Sequence, residues 1–445
     1  MTYIFLRDYI LLINNIPFGT LFSIIQKGAD FMNSKEKMMT IRKHTQIHSP
    51  VHAAMSRYMT LLFAIACGMA VANIYFAHPL LDSLSNEFKI SHSTIGIVIT
   101  ITQICYAIGL LLLVPLGDLL NQKKLIIAQM LLSVIALIII GVAPSTIVLF
   151  IGMALVGILA TVTQTLVAYA SILAKPSERG RIVGFVTSGV VIGILLARTF
   201  AGTLTDLAGW RSVYLTSAIL LLFVTVLLHR NLPTLEHKKV TTMPYRKLIY
   251  SVLLLFVEER LLRIRGILAL LIFTSFSILW TSLVLPLSAT PHNLSHTAIG
   301  AFGLAGVAGA LAATKAGQLA DKGLGQRTTG IALSLLILSW LLIKSINHSL
   351  LLLVFGIILL DLAVQAVHVT NQSMLFTVRP EARSRLTASY MIFYSIGSAT
   401  GAILSTNTYA KYGWDGVCIL GVSVSACALL FWIITSRRSS QLKEE

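Results

Sequence analysis

Charge is what this chain lacks most. Only 11% of its 445 residues are Asp, Glu, Lys or Arg, against 56% hydrophobic. A soluble chain of this length with so few charges would expose apolar patches and aggregate. Cysteine is scarce too. Cys67, Cys105, Cys418 and Cys427 form no C-x-x-C pair, so neither a disulfide framework nor a zinc site is indicated. All four fall in apolar runs, where small-residue packing is the default role. No G-x-x-x-x-G-K-[ST] loop is present to cradle nucleotide phosphates, and no H-E-x-x-H, nucleophile elbow or paired His/Asp cluster points to an enzyme. No cofactor is implied. The short alternating segments of a transmembrane barrel are missing as well, so any spans must be helices.

What is present is roughly a dozen continuous apolar runs, each near the ~20 residues that cross a bilayer as a helix. They fall at 58–78, 94–116, 125–142, 146–173, 182–204, 213–229, 267–288, 297–317, 330–344, 349–374, 386–408 and 416–435. The net charge of +17 could suggest nucleic acid, but its placement argues otherwise. Lys and Arg collect on one side: Lys123 and Lys124; Lys175, Arg179 and Arg181; eight in 230–265; Lys315, Lys322 and Arg327; Arg379, Arg383 and Arg385; and Arg437, Arg438 and Lys443. The other side holds Lys89, Arg211, Lys344 and Lys411. This positive-inside pattern predicts a multi-pass protein of the bacterial inner membrane with both termini cytoplasmic.

A single offset relates the two halves. Pro176-Ser-Glu-Arg-Gly-Arg181 returns as Pro380-Glu-Ala-Arg-Ser-Arg385, 204 residues on, and the same step carries Gly193 to Gly397, Gly209 to Gly413 and Trp210 to Trp414. Asp118 and Asp321, after spans 2 and 8, lie 203 apart. Residues in register over such a distance indicate a duplicated six-helix unit, an all-α membrane architecture of two pseudo-symmetric six-helix bundles with a substrate path between them. The expected organisation is an N-terminal extension (1–55), a first bundle (56–229), a cytoplasmic linker with an amphipathic helix on the membrane surface (230–266), a second bundle (267–436) and a tail (437–445). The extension reads as a mobile or disordered segment, or as sequence ahead of a true start at Met39 or Met55, with a thirteenth, interfacial helix as the minor alternative. His44, His48 and His52 share helical spacing there, but a polar tail with three histidines is more often just a tail, so no metal site is expected.

The signature Gly317-Gln-Leu-Ala-Asp321-Lys-Gly-Leu-Gly-Gln-Arg327 resembles the G-x-L-A-D-R-x-G-R-K loop of the major facilitator superfamily, with one extra residue. The first half keeps Asp118, Lys123 and Lys124, but Val114 and Asn121 replace the glycines. The resemblance covers about 56–436. Within the superfamily, Ala72-Asn-Ile-Tyr-Phe-Ala-His-Pro-Leu-Leu81 and Leu360-Asp-Leu-Ala-Val-Gln-Ala-Val-His-Val-Thr-Asn-Gln372 are similar to bacterial drug:proton antiporter-type exporters of a poorly characterised branch. Two departures stand out: Met153 where that group carries Arg in span 4, and Gly193-Ile-Leu-Leu-Ala-Arg198 where it carries Gly-Pro in span 5. The resemblance implies proton-coupled efflux of a small organic solute by alternating access. Sugar or nucleoside transport on the same fold, and a non-transporting receptor, are the alternatives. It also implies that Asp118 and Asp321, at cytoplasmic span ends near Lys123, Lys124 and Lys322, latch the bundles in one access state. A lone charged loop residue is usually just solvated, but the duplication of Arg181 and Arg385 in equivalent loops of the two halves makes them gating candidates as well.

Transport needs no covalent chemistry, so the informative residues are polar groups that lipid would reject. Asp361 in span 10 is followed by Gln365, His368 and Gln372 on one helical face. Such a face must meet a cavity or a partner helix. A carboxylate there suits a group that gains and loses a proton once per cycle; the alternative is an interhelical hydrogen-bond cluster that fixes packing. Arg198 in span 5 could pair with Asp361, attract an anionic substrate, or snorkel outward to lipid headgroups. Asn73, Tyr75, His78, Gln103, Tyr106, Gln164, Trp280, Tyr390 and Tyr394 are cavity candidates, although aromatics near interfaces are often membrane anchors. Gly193 and Gly397 read as close helix contacts. The expected partners are the lipid bilayer, a small-molecule substrate and protons, with no nucleic acid and a monomeric chain.

Overall fold

The computed structural model describes residues 55–175, 178–233, 244–306, 315–316, 318–376, 378 and 383–441. The expectations for the N-terminal extension and its histidines therefore lie outside the described residues. Those residues fold into helices, and no strand occurs among them. In chain order these are α1 (Arg57–Tyr75), α2 (Leu81–Phe88), α3 (Ile97–Leu112), α4 (Gln122–Gly141), α5 (Thr146–Leu159), α6 (Val162–Leu173), α7 (Arg179–Ala208), α8 (Trp210–Asn231) and α9 (Tyr245–Glu258). They continue as α10 (Arg260–Ser282), α11 (Val284–Ser288), α12 (His296–Ala301), α13 (Gly325–Ile343), α14 (Leu350–Phe376) and α15 (Arg383–Gln441).

Ten stretches among the described residues are long and apolar enough to cross a membrane. One of them, Arg385–Ser436, is two helices merged through Gly413. The expected eighth span begins with α12 and the 3-10 turn Phe302–Gly306; its continuation, 307–314, lies outside the described residues. Large side chains such as Ile151, Ile219, Phe223 and Leu351 face outward and exposed, as lipid-facing positions require.

The repeat has a structural meaning. Gly209 and Gly413 both have positive φ, 77° and 61°, and each breaks a long helix into two spans at a single residue. Only a residue without Cβ takes that conformation cheaply. The tryptophan after each glycine anchors the corner through its indole N–H, Trp210 to the Glu87 carboxylate and Trp414 to the Ile343 carbonyl. The glycine faces repeat too. A Cβ on Gly193 would overlap the Gly68 carbonyl of α1, and one on Gly397 would overlap the Leu270 carbonyl of α10. So α7 lies on α1 as α15 lies on α10, backbone against backbone.

The two bundles meet tightly at one end, the one bearing the 76–96 and 289–295 loops. Thr100 and Thr406 donate to the Ala399 and Ser93 carbonyls at 2.9 and 3.2 Å, and Gly96, Gly202 and Gly300 each press on a backbone carbonyl of the other bundle. Asp206, at the end of α7, caps the start of α12: its Oδ1 accepts from the His296 amide and its Oδ2 from the Thr297 amide, at 3.1 and 2.7 Å.

The opposite end carries the linker. Its helix is α9, entered from Pro244, and its apolar face (Leu248, Val252, Leu255) is buried. Leu255 packs with Leu262, Leu386 and Tyr390. The charged stretch from Arg260, read in the sequence as part of the linker, instead opens α10, and Arg265 is 1% exposed. The chain kinks at Glu259 (φ −93°, ψ 98°), so the two helices separate between the acidic pair.

If α15 slides on α10 backbone to backbone, Gly397→Ala should lower the melting temperature of the detergent-purified protein, by the ~1–3 kcal/mol that overpacking costs. Gly184→Ala is the control, since a Cβ there meets nothing within 4 Å. Equal melting of the two variants would contradict the contact.

Candidate functional site

The two ionisable groups picked out in the apolar runs, with several of the aromatic candidates, meet at the interface between the bundles. Arg198 projects from α7 and is 2% exposed, and Asp361 from α14 is 4% exposed. Snorkelling of Arg198 toward headgroups is thereby corrected. The guanidinium turns inward because α7 is pressed against α12 at this level, and aromatic rings provide a favourable cover for a cation. It lies 3.7 Å from the Trp280 ring centroid, 5.3 Å from Tyr75 and 5.5 Å from Phe276. Trp280 touches both charges. Its face receives the guanidinium, and its Nε1 donates to Asp361 Oδ1 at 3.2 Å. Arg198 and Asp361 are within electrostatic reach of each other, yet they form no ion pair; the ion pairs found among the described residues are Glu87–Arg211, Asp206–His296 and Asp415–Lys344. The space beside them, lined by Ile194, Phe276, Gly306 and Gln365 among others, is about 10 Å³, room for one water-sized group.

The remaining candidates divide into three sets. Tyr75 and Tyr394 join the bundles through their hydroxyls, and His78 stacks on Tyr75 with its Nδ1 at the Tyr75 carbonyl. His368 hydrogen-bonds to the Tyr390 hydroxyl at 3.0 Å. That hydroxyl also meets Asn371 (3.5 Å), which contacts Arg265 through both its side chain and the Arg265 carbonyl. Away from the interface, Asn73 accepts from Ser217 inside the first bundle, Tyr106 bonds Gln164, and the Gln103 Oε1 is buried without a partner. Gln372 is half-buried. The sequence reading missed Phe276, Arg265 and the Asp206–His296 contact. Phe276 had no signal, being one more apolar residue in an apolar run.

In the loop set, Arg385 lies within electrostatic reach of Asp118 across the bundles and donates to Ser251 of α9 at 3.2 Å. Lys123 donates to the Leu232 carbonyl at 2.6 Å. Lys124, Arg181 and Lys322 are exposed. The side chain of Asp321 lies outside what the structure describes.

The comparisons agree with this architecture. The family model "Major Facilitator Superfamily" matches residues 60–337 and 265–445. The chain belongs to the major facilitator superfamily. The uncharacterized transporter YgaY of Escherichia coli O157:H7 is 44% identical over 378 residues, 85% of this chain and 95% of its own. The multidrug resistance protein MdtG of Escherichia fergusonii is 26% identical over 397 residues, 86% of this chain and 94% of its own. Among solved structures, a bacterial homologue of the human lysosomal transporter Spinster, inward-facing and occupied, superposes with a TM-score of 0.69 at 13% identity, covering 85% of this chain and 96% of that one. A point mutant of the nucleoside transporter NupG gives 0.67 at 13%, covering 84% and 99%. Both share the fold. The protein is thus a multi-pass membrane transporter.

Hydrogen bonds to a charged acceptor contribute ~1.5–3 kcal/mol, so Asp206→Asn should loosen the closed end. In a background without the four native cysteines, Ile194→Cys should then react at least several-fold faster with an impermeant maleimide added from that end. An unchanged rate would show that the carboxylate does not hold the closure.

Proposed function

We propose that this chain is a secondary active transporter, not an enzyme, which exports a small organic solute by alternating access, with Asp361 binding and releasing the coupling proton. The observation that carries the reading is a buried carboxylate of the second bundle facing a buried guanidinium of the first across the bundle interface. Intramembrane charges are costly and mark ion or substrate pathways, and a site made by both halves changes whenever the halves rock. The energy comes from a gradient, since the sequence has no nucleotide-binding loop. Taking the basic, linker-bearing side as cytoplasmic, the closed end is external and both termini lie in the cytoplasm. Efflux is favoured by relatives: MdtG is named for multidrug resistance, and a 22% identical protein of Helicobacter acinonychis is a probable sugar efflux transporter by name. In this reading Asp118 and Arg385 steady the cytoplasmic ends, which separate and meet once per cycle, while Gly193 and Gly397 let α7 and α15 shift against their neighbours.

Asp361→Asn keeps the size and hydrogen-bonding reach of the side chain but cannot titrate. It should express and insert normally while losing flux driven by an imposed pH gradient in proteoliposomes. Undiminished pH-driven flux in that variant would sink the proposal.

A further inference from the structure

Resting on that transport reading, we propose that the solute is a small organic anion, held by its oxyanion on the Arg198 guanidinium and bound together with a proton on Asp361. The Arg198 Nε, Nη1 and Nη2 are all buried and none has a hydrogen-bond partner. A buried guanidinium without acceptors is costly, and its planar donor fork fits a carboxylate or phosphate bidentately. The rings of Tyr75, Phe276 and Trp280 cover it but supply no oxygen. Trp280 spends its N–H on Asp361, which leaves the guanidinium donors unused.

The charge balance of the interior points the same way. Among the described residues, the fully buried side chains of Arg, Lys, Asp or Glu are Arg198, Arg265 and Asp361. The Arg265 Nη1 meets only the neutral Thr329 and Asn371 oxygens, so cations outnumber carboxylates. The titratable and charged groups facing Asp361 are Arg198 from α7 and Tyr75 from α1; Trp280 adds a neutral donor from α10, and Gln365 stands one turn along α14. Empty, the pair Arg198⁺ and Asp361⁻ is neutral. Loaded with an anion it stays neutral only if Asp361 takes a proton from water. A cationic solute would set two positive charges beside one carboxylate. Anion and proton therefore travel in the same direction, in place of the antiport that the family resemblance implies, and export follows the outward gradient of the anion. The site is closed in this state, its free space being about 10 Å³, so the solute enters as the bundles part.

The test uses the full chain in detergent and in proteoliposomes, with three sets of probes similar in size and different in charge: acetate, lactate, benzoate and phenyl phosphate; acetamide, lactamide and benzamide; ethylamine and benzylamine. At least one anion should bind saturably with uptake of about one proton, read by a dye in weak buffer. Arg198→Gln should weaken that binding at least tenfold, and Arg198→Lys should recover part of it if the positive charge matters. Asp361→Asn should bind the anion without taking up a proton. Anion binding undiminished in Arg198→Gln, proton release on binding, or flux carried by amines or amides instead of anions would overturn the inference and leave proton-coupled transport standing. Absence of proton-linked flux with all three sets would overturn both.

Discussion

Arg198 is a buried guanidinium with no hydrogen-bond partner and no direct ion pair among the described residues, and the centre of the molecule is arranged around that fact. Moving an ammonium- or guanidinium-sized ion out of water costs several kcal/mol even after relaxation. Here Arg198 lies against the rings of Tyr75, Phe276 and Trp280, each such contact returning about 2 kcal/mol when desolvated. The carboxylate of Asp361, held by the Trp280 indole N–H, adds a favourable field at Arg198 without a direct ion pair. The charge is tolerated, not satisfied. A guanidinium whose three nitrogens are all buried and unpartnered is poised for a ligand.

The two bundles hold each other by weaker means around this centre. At the closed end the contacts are glycines against carbonyls, threonine hydroxyls donating to backbone oxygens, and Asp206 capping α12. When such contacts part, each loses little, and water can enter to replace the hydrogen bonds. The Arg198–Asp361 pair differs, since its separation would leave a lone charge on either side. A rocking motion of this fold is therefore easier when both charges are first neutralised, by a proton on Asp361 together with an anion on Arg198. This is a physical basis for coupling in the proposed cycle: the closed end sets a modest barrier, and the state of the central charges raises or lowers it.

How much of this could be read from the sequence follows from what each residue answers to. Asp361 and Arg198 were legible because a charge inside an apolar run is expensive wherever it points. The destination of Arg198 was not, because its position toward the end of the apolar run 182–204 allowed an outward snorkel as readily as an inward turn, and packing against α12, about 100 residues away, decides between them. The Gly-Trp repeat was legible as a repeat, and the positive φ of Gly209 and Gly413 supplies its cause. The Asp206–His296 contact left no trace, since an aspartate near a helix end beside a loop is ordinary and its partner lies 90 residues on. Arg265 was grouped with the linker because three basic residues follow an acidic pair. The kink at Glu259, not composition, places that arginine inside α10.

The linker helix bears on how far the bundles can part at their other end. It is pinned to the second bundle by Leu248, Val252 and Leu255, and by hydrogen bonds from Ser389 and Arg385. To the first bundle the described residues connect it by a hydrogen bond from Tyr245 to the Leu112 carbonyl, 2.7 Å long. That exposed hydrogen bond contributes about 1 kcal/mol, and the linker packs less extensively on the first bundle than on the second. In the proposed cycle the linker stays with the second bundle, while Asp118 and Arg385, across the same gap and within electrostatic reach of each other, oppose separation without direct contact. An arrangement tight at one end and more loosely strapped at the other makes the strapped end, in that proposed cycle, the first to respond when the central charges change.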